Sequence, residues 1–463
     1  VVAARVRWCE GRALAHTERM NYGIAREVLL AAMGDGGKSP LDGLASTTVP
    51  YLRRLAGLPL AVADELELSG LLPEALQRRM HRAFAELVRV LCRRGPVVLT
   101  WEDLHWADPS SLRLLETILP FCGHEPLLVI LALRAGEQRL SEWLARVRSA
   151  GDAELRVLAL DPLGPEESGR LIDNFLPADD TTEEARAAIL VKAEGNPFFL
   201  EELLRSIVVD GPLDHVEVPD TLNGVIAARI DRLSGDEKRV LQAASVFGRI
   251  FARGLLAGLL SEGGADIELD DALAELTRRE FLRRHSETEF IFKHALTQEV
   301  AYSGILRARR RELHAKAARI TARLFPSELD ERAAELGVHY ERAEEHERAA
   351  TFLTAAADRA RMTFSNVEAI NLYRAALEQI RRAAKTELSA IEQRDRAAGL
   401  NEKLADAFAQ IGRQDEARAS LRDMEDLLAP QDRIGRSRLH RKMGTSFVAE
   451  RKPADAVQAF DRA

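Results

Sequence analysis

Two adjacent acids, Glu102 and Asp103, directly follow a short apolar run at residues 97–101. The run is β-branched, apolar or aromatic with little alternation, which predicts a strand of a parallel sheet that is covered on both faces. Such sheets bind ligands at the carboxyl ends of their strands. Two carboxylates placed there have the chemistry to hold Mg²⁺ through water and to activate a water that attacks a γ-phosphate. The alternative is a strand that ends in an ordinary solvated turn.

The residues that follow the acids, LHWADPSS at positions 104–111, are a specific continuation. The whole run resembles the Walker B segment of STAND-class P-loop ATPases, in particular the module found in many bacterial class III adenylate/guanylate cyclases. A similar module occurs in large MalT-like LuxR regulators. The resemblance implies that Glu102 holds Mg²⁺ via water, that Asp103 acts on the attacking water, and that His105 lies near the nucleotide phosphates. Alternatively, His105 packs the loop.

Asp108 and Pro109 have a structural interpretation of their own. An aspartate followed by proline is typical of a helix N-cap with proline at the first helical position. We therefore expect a helix to begin here, at residues 111–119.

A second apolar run, residues 127–133, predicts another continuous strand, and Arg134 follows it. Arg134 matches the sensor arginine of STAND ATPases, which contacts the γ-phosphate. Arginine suits that role because its planar fork bonds phosphate oxygens bidentately while it keeps its charge. The alternative is a surface arginine that leaves a strand.

The segment EGNPFFLEEL at positions 194–203 resembles the GxP element of STAND proteins. The resemblance implies that Gly195 permits a tight backbone and that Pro197, which lacks an N–H, offers an apolar face to the adenine ring. Alternatively, Gly-Asn-Pro is an ordinary turn between two helices.

The segment FKHALTQEVAY at positions 292–302 matches a third characteristic element of the family. His294 falls where STAND proteins keep a histidine that touches the β-phosphate of ADP and holds the closed state. Ala295 replaces the aspartate that frequently follows it. The alternative role of His294 is a helix cap.

These patterns predict an α/β P-loop NTPase domain with a partial parallel sheet, followed by a helical lid, a winged helix and an all-α TPR-like solenoid. The predicted boundaries are 1–163 for the α/β domain, 164–233 for the lid, 234–327 for the winged helix and 328–463 for the repeats. Irregular spacing of small residues in the last segment indicates a degenerate tetratricopeptide array, whose concave face commonly binds a partner.

No GxxxxGKS/T motif occurs in the sequence. The candidate at residues 34–39 is rejected because Ala32 stands where the first glycine belongs and a helix precedes it. Further strands are predicted at residues 2–8 and 154–160. The resemblance implies that the P-loop and the first strand lie just upstream of the strand at residues 2–8, and they are missing from this sequence. We therefore expect a fragment, truncated at both ends, whose sheet has a gap at its centre.

The 463 residues are 46% hydrophobic and 30% charged, with a net charge of −8, which argues against a broad nucleic-acid surface. The basic run at residues 307–311 is interpreted as a solvated helix face. Three cysteines without a CxxC pair favour a reducing compartment and disfavour zinc. No apolar run is long enough to span a bilayer, and we expect a cytoplasmic protein without membrane contact.

The sequence thus predicts an ATP/ADP-dependent switch with Mg²⁺, an ATP hydrolase when complete and inactive as this fragment. A protein or small-molecule inducer would bind the repeats, and self-association is possible. Regulation of a cyclase is the first choice of output. The alternatives are a LuxR/MalT-like transcription regulator and a nucleotide-free scaffold for protein–protein interaction.

Overall fold

The computed structural model describes residues 6–13, 22–34, 40–134, 136–150, 154–175, 183–210, 221–261, 268–383 and 389–463. The chain forms two compact units. The first contains Val1–Leu155 together with Phe325–Ala463, and the second contains Arg156–Leu324.

The first unit is built on a three-stranded parallel sheet with the order β1 (Arg7–Arg12), β2 (Val97–Glu102) and β3 (Leu127–Leu131). Residues 97–101 of the central strand are all buried, which confirms the doubly covered strand predicted from their composition. The register places Arg12 opposite Glu102. The last residues of β1 and β2 therefore lie side by side at the carboxyl edge.

Two predictions about this sheet are wrong. The first strand runs from Arg7 to Arg12 and not over residues 2–8, of which 2–5 lie outside the described residues. The expected central gap is absent from the described sheet, because β2 hydrogen-bonds to β1 on one side and to β3 on the other.

Six α-helices of the described residues accompany the sheet, and prolines mark the starts of three of them. Pro50, Pro73 and Pro109 occupy first-turn positions, where a missing N–H costs nothing. The helix predicted after Asp108 is confirmed, and it runs from Pro109 to Glu116. The helices are α1 (Gly23–Met33), α2 (Val49–Leu55), α3 (Val62–Ser69), α4 (Pro73–Arg94), α5 (Pro109–Glu116) and α6 (Gln138–Ala150).

Strand β3 is less covered than its sequence predicts. Leu128 is 55% exposed and Ile130 is 37% exposed, so the strand is not buried on both faces. In the described part of the chain β3 pairs only with β2, which leaves its other edge without a strand partner.

The strand predicted at residues 154–160 does not form. Val157, Leu158 and Leu160 are 67%, 86% and 95% exposed, and the described backbone of this stretch has no strand partner. An apolar run becomes a strand only where a neighbour supplies the ladder hydrogen bonds, so composition alone misleads here.

The second unit is mainly helical and carries a small antiparallel sheet. Strands β5 (Leu282–Arg284) and β6 (Glu289–Phe292) form a hairpin, and β4 (Ile250–Ala252) adds to β6. Its helices are α7 (Pro165–Phe175), α8 (Glu183–Ala193), α9 (Pro197–Asp210), α10 (Leu222–Asp231), α11 (Gly235–Ser245), α12 (Arg253–Ser261), α13 (Leu269–Arg278), α14 (Ala295–Ser303) and α15 (Arg307–Leu324).

The rest of the first unit is an all-helical array, as the Ala-, Leu- and Glu-rich composition predicts. Consecutive helices pack on one another around small residues such as Ala357, Ala376 and Ala407, all fully buried. The helices are α16 (Ala333–Arg342), α17 (His346–Met362), α18 (Asn366–Ala383), α19 (Ala390–Gln410), α20 (Gln414–Leu427), α21 (Arg433–Ala449) and α22 (Pro453–Asp461).

Among the described helices, none combines the length and the apolar content that crossing a bilayer requires.

Candidate functional site

The acid pair lies at the carboxyl end of the central strand, as predicted. Glu102 is the last residue of β2, and its carbonyl accepts a hydrogen bond from Ala13 N–H at 2.9 Å. On the other side, Leu104 N–H donates to the carbonyl of Ala132 at 2.9 Å. Asp103 adopts a left-handed conformation with φ 53°, which aspartate tolerates better than most residues. Both neighbouring chain segments thus hold the backbone of the pair.

Arg12 is the partner of the two acids and was not foreseen from the sequence. Its guanidinium forms an ion pair with Glu102, and its Nε lies 3.3 Å from Asp103 Oδ2. Its backbone N–H donates to Glu27 Oε2 at 2.8 Å, which fixes the end of β1 to α1. Locating the first strand correctly would have revealed Arg12, because the end of a neighbouring parallel strand falls at the same edge.

The acids are accessible enough to receive a ligand. The side chain of Glu102 is 25% exposed and that of Asp103 is 38% exposed. Mg²⁺ is commonly held by one or two carboxylates together with substrate phosphates, and these two oxygen donors fit that pattern. Within the described ranges no cluster of three or more metal-ligating side chains occurs. The pair is therefore suited to a metal that arrives with phosphates.

His105 lies beside the acids in a buried position. It is 8% exposed, and neither ring nitrogen has a hydrogen-bond partner among the described residues. Its ring stacks at a tilt on Trp106, with 5.2 Å between ring centroids. Burial lowers the pKa of His105, while the charge of Asp103 raises it and that of Arg134 lowers it. The imidazole is thus a buried group whose two nitrogens have no partner among the described residues.

Arg134 follows β3 by three residues and is exposed. It follows the carboxyl end of β3, which lies beside the carboxyl end of β2 in the parallel sheet. Glu102, Asp103, His105 and Arg134 therefore all occupy the carboxyl edge, at the point where the sequence placed them.

Asp108 has the structural role that its sequence context predicts, and it has more partners than one helix requires. Its carboxylate accepts from Ser111 N–H at 2.9 Å, which caps α5. It also accepts from the N–H groups of Tyr22 and Gly23, at 3.0 and 2.9 Å, at the start of α1. Burial raises the pKa of Asp108 to about 7, and the nearby charge of Glu368 acts in the same direction. One carboxylate therefore caps two helices.

Gly195 lies in the second unit, in the turn between α8 and α9. Its φ is 73°, and a Cβ atom at this position would lie 2.4 Å from the carbonyl oxygen of Leu163. Its own carbonyl accepts from Leu163 N–H at 2.8 Å. Only glycine combines this conformation with this close approach. The backbone forms the helix-to-helix turn that we considered as the structural alternative.

Pro197 and His294 belong to the same unit. Pro197 begins α9, and the side chain of Asn196 caps that helix by accepting from Phe198 N–H at 3.0 Å. The ring of His294 stacks on Phe198 with 4.0 Å between centroids. The GxP element and the histidine element, about a hundred residues apart in sequence, are thus joined through Phe198.

His294 occupies the N-cap position of α14, but its side chain makes no cap hydrogen bond. Its Nε2 is buried and has no partner among the described residues. Burial lowers the pKa of His294 to about 4, and the charge of Lys293 adds to this shift. The ring is therefore neutral at pH 7, and the capping role does not account for its side chain.

No protein-family model matches the chain. An uncharacterized protein of Rhizobium meliloti (strain 1021) is 29% identical over 260 residues, which make up 52% of this chain and 24% of that protein. The chain therefore spans about a quarter of the length of the curated relative that it matches.

Two solved structures are similar to the chain at low TM-scores. A Signal Transduction ATPase with Numerous Domains (STAND) protein with a tetratricopeptide repeat sensor from Pyrococcus horikoshii has a TM-score of 0.40 and 12% identity, over 99% of this chain and 67% of that one. The Walker-type ATPase of Pyrococcus abyssi has a TM-score of 0.24 and 13% identity, over 64% of this chain and 91% of that one. Neither likeness is close enough to assign a function, which has to come from the site residues.

Proposed function

We propose that the chain is the switch module of a signal-transduction ATPase of the STAND class. The observation that carries the proposal is the acid pair Glu102–Asp103 at the carboxyl end of a buried central parallel strand. Sheets of this type bind their ligands at that edge. The cation that faces the pair, Arg12, balances its charge when no ligand is bound.

The roles at this edge follow from the side chains and their exposure. Glu102 would hold Mg²⁺ through water, and this ion would supply neutralisation of phosphate charge. Asp103, the more exposed acid, orients or deprotonates the water that attacks the γ-phosphate. Arg134 contacts the γ-phosphate with its fork, and His105 donates the single N–H of its neutral ring to a phosphate oxygen.

In the second unit, Gly195 and Pro197 form a turn whose apolar face is offered to the adenine ring. His294 donates a hydrogen bond from its neutral ring to the β-phosphate of ADP. Because the His294 ring stacks on Phe198, a shift of the Gly195–Pro197 turn would move this ring. The contact thus couples adenine binding to phosphate binding. ADP would hold the closed state and ATP would open it.

The helical repeats are proposed as the sensor for a protein or small-molecule inducer. Regulation of an adenylate/guanylate cyclase is the first choice of output, and a LuxR/MalT-like regulator is the second, with possible self-association in either case. A nucleotide-free scaffold is favoured by one observation, the occupation of both acids by Arg12. Nucleotide titration distinguishes the nucleotide-dependent switch from the nucleotide-free scaffold.

The first experiment is isothermal titration of this chain with Mg-ATP. We expect weak binding or none, because the backbone N–H cradle of a P-loop and its lysine supply much of the phosphate affinity. Micromolar binding would require a different phosphate site. The second experiment uses a gene product that carries these residues together with a phosphate-binding loop. There Asp103→Asn should keep nucleotide binding and slow hydrolysis by about a hundredfold.

Glu142→Gln, which removes an exposed carboxylate on α6, is the matched control and should leave turnover unchanged. If Asp103→Asn hydrolyses ATP at the wild-type rate, Asp103 is only a strand-end residue and the proposed mechanism is wrong. If the longer protein binds no nucleotide at all, the scaffold alternative is correct.

A further inference from the structure

A cavity of about 300 Å³ lies within the first unit, between the α/β part and the helical repeats. Helices α1, α2 and α4 form one wall, and α16, α17 and α18 form the other. Its volume is at the lower end of the range for small-molecule sites in proteins. It is distinct from the acid pair, whose residues do not line it.

Three arginines line the cavity, and among the described residues Arg26 of α1 is the one without an acidic partner. Arg54 is paired with Glu65 at 2.9 Å, and Arg359 lies 3.4 Å from Glu331. Within the described ranges, by contrast, the guanidinium of Arg26 has no hydrogen bond or ion pair.

The Arg26 guanidinium rests on the backbone of Gly57. A Cβ atom on Gly57 would lie 2.8 Å from Arg26 Cζ, so only glycine leaves room for this placement. Gly57 also has a φ of 65°, which other residues rarely adopt. The guanidinium therefore packs against backbone that carries no side chain at this position.

The electrostatic surroundings of Arg26 favour an anion. Burial lowers the pKa of Arg26, the charge of Glu331 opposes this shift, and the charges of Arg332 and Arg359 add to it. Arginine nevertheless keeps its proton, so the cavity holds a positive charge that is partly removed from water. A buried charge without a partner is costly, and an anion bound between Arg26 and Arg359 would offset that cost.

Apolar side chains complete the cavity. Leu55, Met80 and Leu372 line it and are 5%, 1% and 2% exposed. Three acids also line the cavity, Glu27 and the exposed Asp330 and Glu331, and they disfavour a ligand with several negative charges. A ligand with one anionic group and a short apolar body matches this arrangement.

We propose that this cavity is a binding site for a small organic anion that carries a single carboxylate or phosphate group. The anionic group lies between Arg26 and Arg359, and the apolar body lies against Met80 and Leu372. Because its two walls come from the α/β part and from the repeats, the ligand contacts both and stabilises their contact. The proposal does not depend on nucleotide binding.

The test measures thermal stability and isothermal titration of the whole chain with two probes, sodium phosphate and sodium hexanoate. Sodium chloride at equal ionic strength is the salt control. At least one probe should raise Tm in a saturable way. Stabilisation by phosphate alone identifies a phosphate ester as the ligand class, and stabilisation by hexanoate alone identifies an apolar carboxylate.

Arg26→Gln tests the assignment of the site. This variant should lower the affinity for the stabilising probe by about tenfold or more, since a charge-assisted hydrogen bond is lost. Without ligand its Tm should equal or exceed that of the wild type, because an unmatched charge has been removed; a purely structural role would lower it. Arg359→Gln, on the opposite wall, should also lower the affinity for the probe. This variant replaces Arg26→Gln in the test if Arg26→Gln does not fold.

Arg78→Gln is the matched control, because Arg78 lies on α4 with its side chain 72% exposed and outside the cavity. It should bind the probe as the wild type does. The proposal is overturned if neither probe binds saturably. It is also overturned if Arg26→Gln and Arg359→Gln keep the wild-type affinity, since the anion then binds elsewhere.

Discussion

Glu368 Oε1 accepts a hydrogen bond from the backbone N–H of Ser110 at 2.7 Å. Glu368 lies in the first turn of α18 and Ser110 in the first turn of α5, and both are almost completely buried. Ser110 Oγ also donates to Ser365 Oγ at 3.1 Å. The repeats thus make direct hydrogen bonds to α5, the helix that follows the acid pair. A conformational change in the repeats could therefore reach Asp103 through α5.

Replacing Glu368 with alanine should destabilise the chain by about 1–3 kcal/mol, because the buried N–H of Ser110 loses its acceptor. Urea denaturation monitored by circular dichroism measures the free energy of unfolding. Glu378→Ala, on the same helix but 46% exposed, is the control and should change it by less than about 0.5 kcal/mol. Equal losses in the two variants would show that the hydrogen bond contributes nothing.

Asp108 should make stability depend on pH. Its folded pKa of about 7 exceeds the ordinary value of 3.8, so between these values the folded state binds a proton that the unfolded state releases. The contribution of Asp108 to stability therefore falls as pH rises through this window. The lowered pKa of His81, about 4, has the opposite effect as pH rises toward 6.5.

Glu368→Gln separates the two effects, because it removes the charge that raises the pKa of Asp108 while it keeps an acceptor for Ser110. Relative to wild type, the variant should be more stable at pH 8 than at pH 5, by about 1 kcal/mol. Urea denaturation of both proteins at the two pH values gives this difference. A difference of zero would mean that Asp108 and Glu368 do not interact.

His294→Ala should weaken the binding of ADP more than the binding of ATP in a gene product that carries these residues together with a phosphate-binding loop. A hydrogen bond to a charged phosphate that forms only in the ADP state would shift the ratio of dissociation constants by about tenfold or more. Because the pKa of His294 is about 4, the wild-type ratio should be constant between pH 6 and 8. His285→Ala, in the exposed turn between β5 and β6, is the control. An unchanged ratio in a folded variant would leave His294 a packing residue against Phe198.

Arg12→Gln should make the acid pair responsive to Mg²⁺ in this chain. Without the guanidinium, two adjacent carboxylates repel each other, and a divalent cation at millimolar concentration offsets that repulsion. We expect MgCl₂ to raise Tm of the variant more than of the wild type, with NaCl at equal ionic strength as the reference. The double variant Arg12→Gln, Asp103→Asn should lose the response. Equal Mg²⁺ effects in wild type and Arg12→Gln would contradict the proposed competition.

The parts of the fold that the sequence predicts well are those that local residues determine. The buried strand β2, the cap at Asp108 and the amphipathic helix α4 follow from periodicity, composition and capping within a few residues. Contacts between distant residues are different. Ser110 and Glu368 are 258 positions apart, and nothing local marks Glu368 as an acceptor and not a solvated helix residue.

Arg12 and the incorrectly predicted strand at residues 154–160 both show that strand pairing is not visible in a single sequence. Arg12 reaches the acids because β1 pairs in register with β2, which a single sequence does not show. Residues 154–160 have the composition of a strand without a described partner. Pairing, and not propensity, decides both cases.

The free edge of β3 has a practical consequence for handling the protein. Among the described residues the outer edge of β3 has no strand partner, and together with exposed Leu128 and Ile130 it forms a template for another copy of the same strand. At high concentration, chains should therefore associate through this edge and lose solubility. A single lysine at position 130 would introduce the kind of charge with which natural edge strands avoid such pairing.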